Sequence, residues 1–333
     1  MKWQNPWFDA RRPHHTFEGF RNLVQGENPP GALQRWREER KASGLPLPPA
    51  EGYPAFQDKW WQPADFSTQD DAVWWLGHAT LLLRLNGLNL LTDPVFSFRA
   101  SPLPFIGPSR KTPVCTSISQ LPQIDAVLIS HNHYDHLDAG SIRQLRRHHP
   151  RAHYFVPLGL GQWFRRRGIE HVTELDWWQS RVWQGLVMTA VPAQHWSMRT
   201  PWNRNRTLWC GWVMESTAFR FWFSGDSGYI PELTDIPERV GTLDGAALPV
   251  GAYAPEWFMR HHHMSPDESV HLWEQIGKPL AIPIHWGVFE LADESLDVPP
   301  EKLLSLLSTK GEDAHYFHPL RIGQHRLLMK NKI

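Results

Sequence analysis

The chain has 333 residues, 41% of them apolar, enough to bury the core of one large α/β domain or of two ordinary ones. Lysine plus arginine and aspartate plus glutamate balance at 34 each, so no net field favours nucleic acid, and any basic surface must be local. Two cysteines, Cys115 and Cys210, are too few for a disulfide framework and too far apart for a thiolate metal site, which fits a reduced, cytoplasmic chain.

Residues 1–6 carry early charge and prolines without an apolar h-region, so no secretory signal is expected. Residues 1–65, rich in Pro, Gly and Trp, read as an arm with one helical stretch over 31–42, ended by Leu45-Pro46-Leu47-Pro48-Pro49. Residues 66–333 show no repeat and no linker composition, and are expected to form one domain. From Ala72 short apolar runs alternate with turns; 73–76, 80–85 and 88–91 have the look of meander strands. Residues 73–91 are the most apolar long window, but His78, Arg84, Asn86 and Asn89 break the ~20 residues needed to span a bilayer. Helices are expected over 139–148 behind an Asp138 cap, and over 266–276, where Ser265 and Glu268 form a capping box with proline at the first helical position. The class is mixed α/β.

Residues 124–130 read as a buried strand that runs into His131-Asn132-His133-Tyr134-Asp135-His136. His131 and His133, two apart in an extended segment, point to one side and can clasp one ion. Asp135 and His136, where the chain turns toward the helix, can serve a second. Three later apolar runs close in the same way: 187–191 leads to His195, 219–223 to Asp226 and 280–284 to His285. Loops at strand ends let a rigid scaffold gather distant ligands, and a two-metal site needs ions about 3.5–4 Å apart. One such histidine is ordinarily a satisfied hydrogen-bonding group, and most of the 19 histidines need no other reading. A four-ligand loop followed by His, Asp and His is not explained that way. Imidazole and carboxylate suit zinc and also accept iron or manganese.

Trp75-Leu76-Gly77-His78-Ala79-Thr80, Leu91-Thr92-Asp93-Pro94-Val95-Phe96, the hexapeptide with its flanks and Ala281-Ile282-Pro283-Ile284-His285-Trp286-Gly287 carry a resemblance to a known family. They resemble the N-acylphosphatidylethanolamine-hydrolysing phospholipase D branch of the metallo-β-lactamase superfamily. The similarity runs from about residue 74 to about residue 300 and extends weakly to Pro13-His14-His15-Thr16 and Gly19-Phe20-Arg21-Asn22. It implies an αββα sandwich holding two zinc ions: the first on His131, His133 and His195, the second on Asp135, His136 and His285. Asp226 would bridge them with a hydroxide. Zinc lowers the pKa of bound water to about 7, which provides a nucleophile at neutral pH.

Around those ligands, His261-His262-His263 precede the Ser265 cap, and a helix N-terminus suits an anion. By resemblance His263 would touch substrate phosphate or protonate the leaving alkoxide, which makes Asp135, Asp226 and His263 the expected catalytic set. Tyr253, after the apolar 246–250 run, can hydrogen-bond a phosphoryl oxygen or plug the core. His78 and Asp93 are expected behind the ligands, Asp93 orienting a histidine. Arg143, Arg146, Arg147 and Arg151, with Arg165-Arg166-Arg167, read as solvated helix faces. With Trp3, Trp7 and Phe8 of the arm they can also meet an anionic membrane, at about 1 kcal/mol per basic residue.

The resemblance implies hydrolysis of N-acylphosphatidylethanolamine or a related phosphodiester to phosphatidic acid and N-acylethanolamine. The resemblance implies a phospholipid or other small phosphodiester substrate and a homodimer; the charge balance speaks against nucleic acid, and the cysteines with the basic and aromatic features suggest the cytoplasm, at the inner face of a membrane. The alternatives are a lactone or carboxylic-ester hydrolase on the same site, then a metal-stabilised binding protein without turnover, then a redox di-iron protein.

Overall fold

The apolar runs become strands of two stacked sheets in a computed structural model that describes residues 3–26 and 28–328. After a small hairpin, β1 (His15–Thr16) and β2 (Gly19–Phe20), the first sheet opens with the meander β3 (Ala72–Gly77), β4 (Thr80–Leu85) and β5 (Leu88–Thr92). It continues in parallel through β6 (Ala126–Leu128), β7 (His153–Pro157) and β8 (Val172–Leu175). The second sheet contains β9 (Ser180–Trp183), β10 (Leu186–Val191), β11 (Gly211–Glu215), β12 (Arg220–Phe223), β13 (Gly245–Pro249) and β14 (Leu280–Ile284). With β15 (His325–Leu327) closing the first, the orders are β15-β3-β4-β5-β6-β7-β8 and β14-β13-β12-β11-β10-β9. Every residue of β3, β4, β13 and β14 is buried, as strands covered on both faces must be. Seven of the 19 tryptophans are fully buried, Trp74, Trp75, Trp177, Trp209, Trp212, Trp222 and Trp273, and these serve packing.

Helices α1 (Ala32–Ala42) and α2 (Gly52–Trp60) belong to the first 65 residues; α3 (Ala139–His148), α4 (Gly161–Arg165), α5 (Asp235–Val240), α6 (Glu256–Met259), α7 (Pro266–Gln275) and α8 (Val298–Lys310) follow. The Asp138 carboxylate accepts from the backbone of Gly140 and Ser141, and Ser265 with Glu268 forms the expected capping box. The paired part of the 124–130 run is shorter than its apolar length, because Ser130 gives its N–H to the Asp93 carboxylate (2.7 Å) and its carbonyl accepts from Cys210 of the opposite sheet (2.9 Å). Cys115 and Cys210 are free and buried. Among the described residues no helix is long and apolar enough to cross a membrane.

The described residues of the first 65 lie on the sandwich. Asp176, buried at the end of β8, receives His14 (2.7 Å), His15 (3.0 Å) and Arg12 (3.0 Å). His14, His15 and Asp176 have the spacing of a small metal site, but their facing atoms are already paired and the Arg12 cation occupies the same carboxylate, so they act as a latch.

Candidate metal centre

One end of the sandwich collects residues from both sheets. Asp93, just past β5, sits in the left-handed region (φ 32°) with its carboxylate fully buried. It accepts from Ser130 N (2.7 Å), Ser130 Oγ (2.5 Å) and His136 Nδ1 (2.7 Å), tying the start of the histidine loop to its end. Ser130 Oγ in turn meets His131 Nδ1 at 2.9 Å, and His195 Nδ1 donates to the His262 carbonyl at 3.0 Å. With these Nδ1 atoms engaged behind, the Nε2 lone pairs of His131, His136 and His195 face inward, as the expectation for Asp93 required.

The inward atoms form two groups. His131 Nε2 and His195 Nε2 lie 2.8 and 3.1 Å from His133 Nδ1. Asp135 Oδ2 has His136 Nε2 at 3.3 Å, His285 Nε2 at 3.4 Å and His78 Nε2 at 3.0 Å. Between them stands Asp226 Oδ2, 3.0 Å from both His136 Nε2 and His285 Nε2, 3.7 Å from His195 Nε2 and 4.0 Å from His131 Nε2. His78 was expected behind the ligands, and its contact with Asp135 brings it into the second group itself.

These residues fit a divalent ion. Nitrogens of three imidazoles converge at hydrogen-bond distance, although each neutral ring has only one N–H to give. Buried His136 Nε2, His285 Nε2 and Asp226 Oδ1 have no hydrogen-bond partner, a cost that cation coordination would relieve. Burial pushes His131 and His195 well below the usual imidazole range and His133 to about 4, which leaves the neutral rings that bind metals. For Asp226 burial would raise the pKa, but His136 and His285 outweigh it and hold the carboxyl well below the usual range. Burial opposes charge on His285 as well, yet Asp226 and Asp135 lift it to about 9. The carboxylates thus hold protons where cations would serve.

A cleft of about 380 Å³ opens over the centre. His133, Asp135, Asp226 and His263 reach it, and Trp196, Met198, Pro201, Met259 and Leu291 supply an apolar wall. His263 Nδ1 is buried without a hydrogen-bond partner, 4.0 Å from Asp226 Oδ2, and burial lowers its pKa to about 4. Tyr253 lies elsewhere: it is neither in the groups nor in the cleft wall, and Lys302 Nζ sits 5.2 Å from its ring centre. The chain turns at Ala252 (φ 61°), where Glu294 accepts the N–H groups of Ala252 and Ala254.

Asn22 is the functional neighbour that the motifs leave out. Its Oδ1 accepts from His195 N (3.1 Å) and Trp209 Nε1 (3.0 Å), while its Nδ2 donates to His195 O (2.8 Å). The weak similarity at Gly19-Phe20-Arg21-Asn22 was its one trace in the sequence.

Two sheets packed face to face, with imidazoles and carboxylates converging at one end beneath an open cleft, define a metal-dependent hydrolase. Residues 88–286 match the family described as the beta-lactamase superfamily domain. A Caenorhabditis elegans protein named N-acyl-phosphatidylethanolamine-hydrolyzing phospholipase D 1 is 40% identical over 72% of this chain and 70% of its own length. A Saccharomyces cerevisiae protein named N-acyl-phosphatidylethanolamine-hydrolyzing phospholipase D, mitochondrial, is 34% identical over 71% of this chain and 52% of its own. The solved metallohydrolase of Ignicoccus hospitalis shares the fold, with a TM-score of 0.59 at 16% identity, over 78% of this chain and 99% of its own. The chain belongs to the metallo-β-lactamase superfamily, in the branch of the N-acylphosphatidylethanolamine-hydrolysing phospholipases D.

Proposed function

We propose that the protein is a dinuclear zinc phosphodiesterase that cleaves N-acylphosphatidylethanolamine, or a related lipid phosphodiester, to phosphatidic acid and N-acylethanolamine. The observation that carries this reading is Asp226 Oδ2, which stands within 3.0–4.0 Å of histidine nitrogens from both groups. In this reading His131, His133 and His195 hold one ion, Asp135, His136 and His285 the other, and Asp226 both. Two ions so held would supply Lewis acidity toward the phosphoryl oxygens and an acidified water.

The remaining work falls to the chain. His263, neutral by burial, is suited to donate a hydrogen bond to a phosphoryl oxygen more than to deliver a proton. The apolar wall suits acyl chains and excludes water from the reacting group. At the rim, the loop that contributes Ala100 to the cleft exposes Phe98 (63%), Phe105 (75%) and Ile106 (59%), and Trp202 (76%) follows the wall residue Pro201. Exposed large apolar residues beside a lipid-sized cleft support peripheral contact with a membrane. We place such a protein, as a homodimer, in the cytoplasm at the inner membrane face.

The test is incubation of zinc-loaded protein with N-acylphosphatidylethanolamine, with products resolved by mass. Release of N-acylethanolamine, falling at least a hundredfold in Asp226→Asn, is expected. Metal-dependent cleavage of a lactone or simple ester without lipid turnover would move the reading to a carboxylic-ester hydrolase. Elemental analysis of the purified protein decides zinc against iron or manganese.

A further inference from the structure

A second polar cavity, of about 500 Å³, lies between α3 and the segment just after α4, apart from the metal groups. Arg143 and Arg146 enter it from α3, Arg166 and Arg167 from the other side, and Ala139, Ile142 and Ile169 complete its lining. No carboxylate lines it. The neighbouring Arg165 is taken by Glu174 at 2.8 Å, and among the described residues none of the four lining arginines makes an ion pair. Arg167 is held in place: its Nη1 donates to the Trp163 carbonyl (2.9 Å) and its guanidinium stacks 3.7 Å from the Trp163 ring centre.

Favourable helix electrostatics accounts for Arg146 and Arg147 in the last turn of α3. It does not account for two more guanidinium groups brought from a different element to the same cavity, where like charges repel. Planar guanidinium forks match tetrahedral oxyanions with paired hydrogen bonds, and several together select an anion of high charge density. A neighbouring cleft of about 430 Å³ shares Arg166 and Arg167 and reaches Arg199, which also lines the metal cleft. Shared arginines thus link the basic cavity, through this cleft, to the neighbourhood of the metal centre.

We propose that the cavity lined by Arg143, Arg146, Arg166 and Arg167 is a binding site for a phosphate-bearing anion, distinct from the metal centre and independent of the hydrolytic reading. The phosphate has two sources, a soluble phosphate ester or the headgroup of an anionic lipid. The full-length, metal-loaded protein is titrated with glycerol 3-phosphate by calorimetry. It is also sedimented with phosphatidylcholine vesicles, with and without phosphatidylglycerol. Two double variants are compared: R143Q/R146Q removes charge from the cavity, and R147Q/R151Q removes the same charge close by in the chain but outside its lining. All four side chains belong to exposed residues, and circular dichroism checks the fold.

At about fivefold per arginine, R143Q/R146Q should weaken binding by at least tenfold while R147Q/R151Q changes it little. A loss seen with glycerol 3-phosphate assigns a soluble ester, and a loss seen only with phosphatidylglycerol vesicles assigns the headgroup. If both double variants fall equally, or neither differs from wild type, or wild type binds neither probe, the proposal is overturned.

Discussion

A buried carboxylate with three hydrogen-bond donors is a fixed post, and Asp93 uses its post to set the direction of His136. Replacing it with asparagine keeps the shape and removes the charge that holds the Nδ1 proton of His136. Asp93→Asn is therefore expected to lower metal affinity about 10–100-fold, measured by competition with a chromogenic chelator. Unchanged affinity would show that His136 needs no partner behind it. At the same scale, burial pushes the Cys115 thiol up to about 12 and holds Cys210 well above the usual thiol range. At pH 8 Cys115 is then almost wholly the thiol, and the thiolate is the reactive form. Neither cysteine should react with iodoacetamide in the native protein, and both should react in denaturant; fast native labelling would contradict their burial.

The elements place the centre because each ligand-bearing loop leaves the end of a strand where the sandwich is open. This much was legible in the sequence: the apolar runs before His195, Asp226 and His285 end where β10, β12 and β14 do, and the run before His131 outlasts β6 by two residues. The prolines of the first 65 residues concealed α2, which carries Pro54 yet buries Phe56 and Trp60. For Tyr253 the sequence left two readings open, and its buried side chain past the turn at Ala252 accords with the core-packing one. The cleft wall was invisible since Trp196, Met198, Met259 and Leu291 share no pattern and meet only through the fold. Asn22 illustrates the same limit, reaching across 173 positions to grip both backbone groups of His195. Asn22→Leu removes the three hydrogen bonds that steady this strand-end loop. Weaker metal binding with unchanged circular dichroism is the expected result, and full affinity in that variant would reduce the arm to packing.

Taken as one molecule, the protein is joined at its open end by side chains from both sheets. His131, His133, Asp135 and His136 follow β6 of one sheet, and His195, Asp226 and His285 follow β10, β12 and β14 of the other. A ligand that binds only the folded state stabilises it by mass action, about 4 kcal/mol at a thousandfold excess over Kd. Stripping the metal with a chelator should lower Tm by several degrees and added zinc should restore it. A Tm indifferent to verified metal removal would mean that the sheets need no such clasp.

The proposed ligands are also unevenly spread along the chain, and protein synthesis is directional. His131, His133 and His195 are all synthesised before the ninety residues that separate His195 from His285, the last of the proposed histidine ligands. A chain stalled before His285 would own one complete imidazole triad and a half-built neighbour. Metal loading during translation would then be ordered, the triad first, with the second group waiting for the final strand of its sheet.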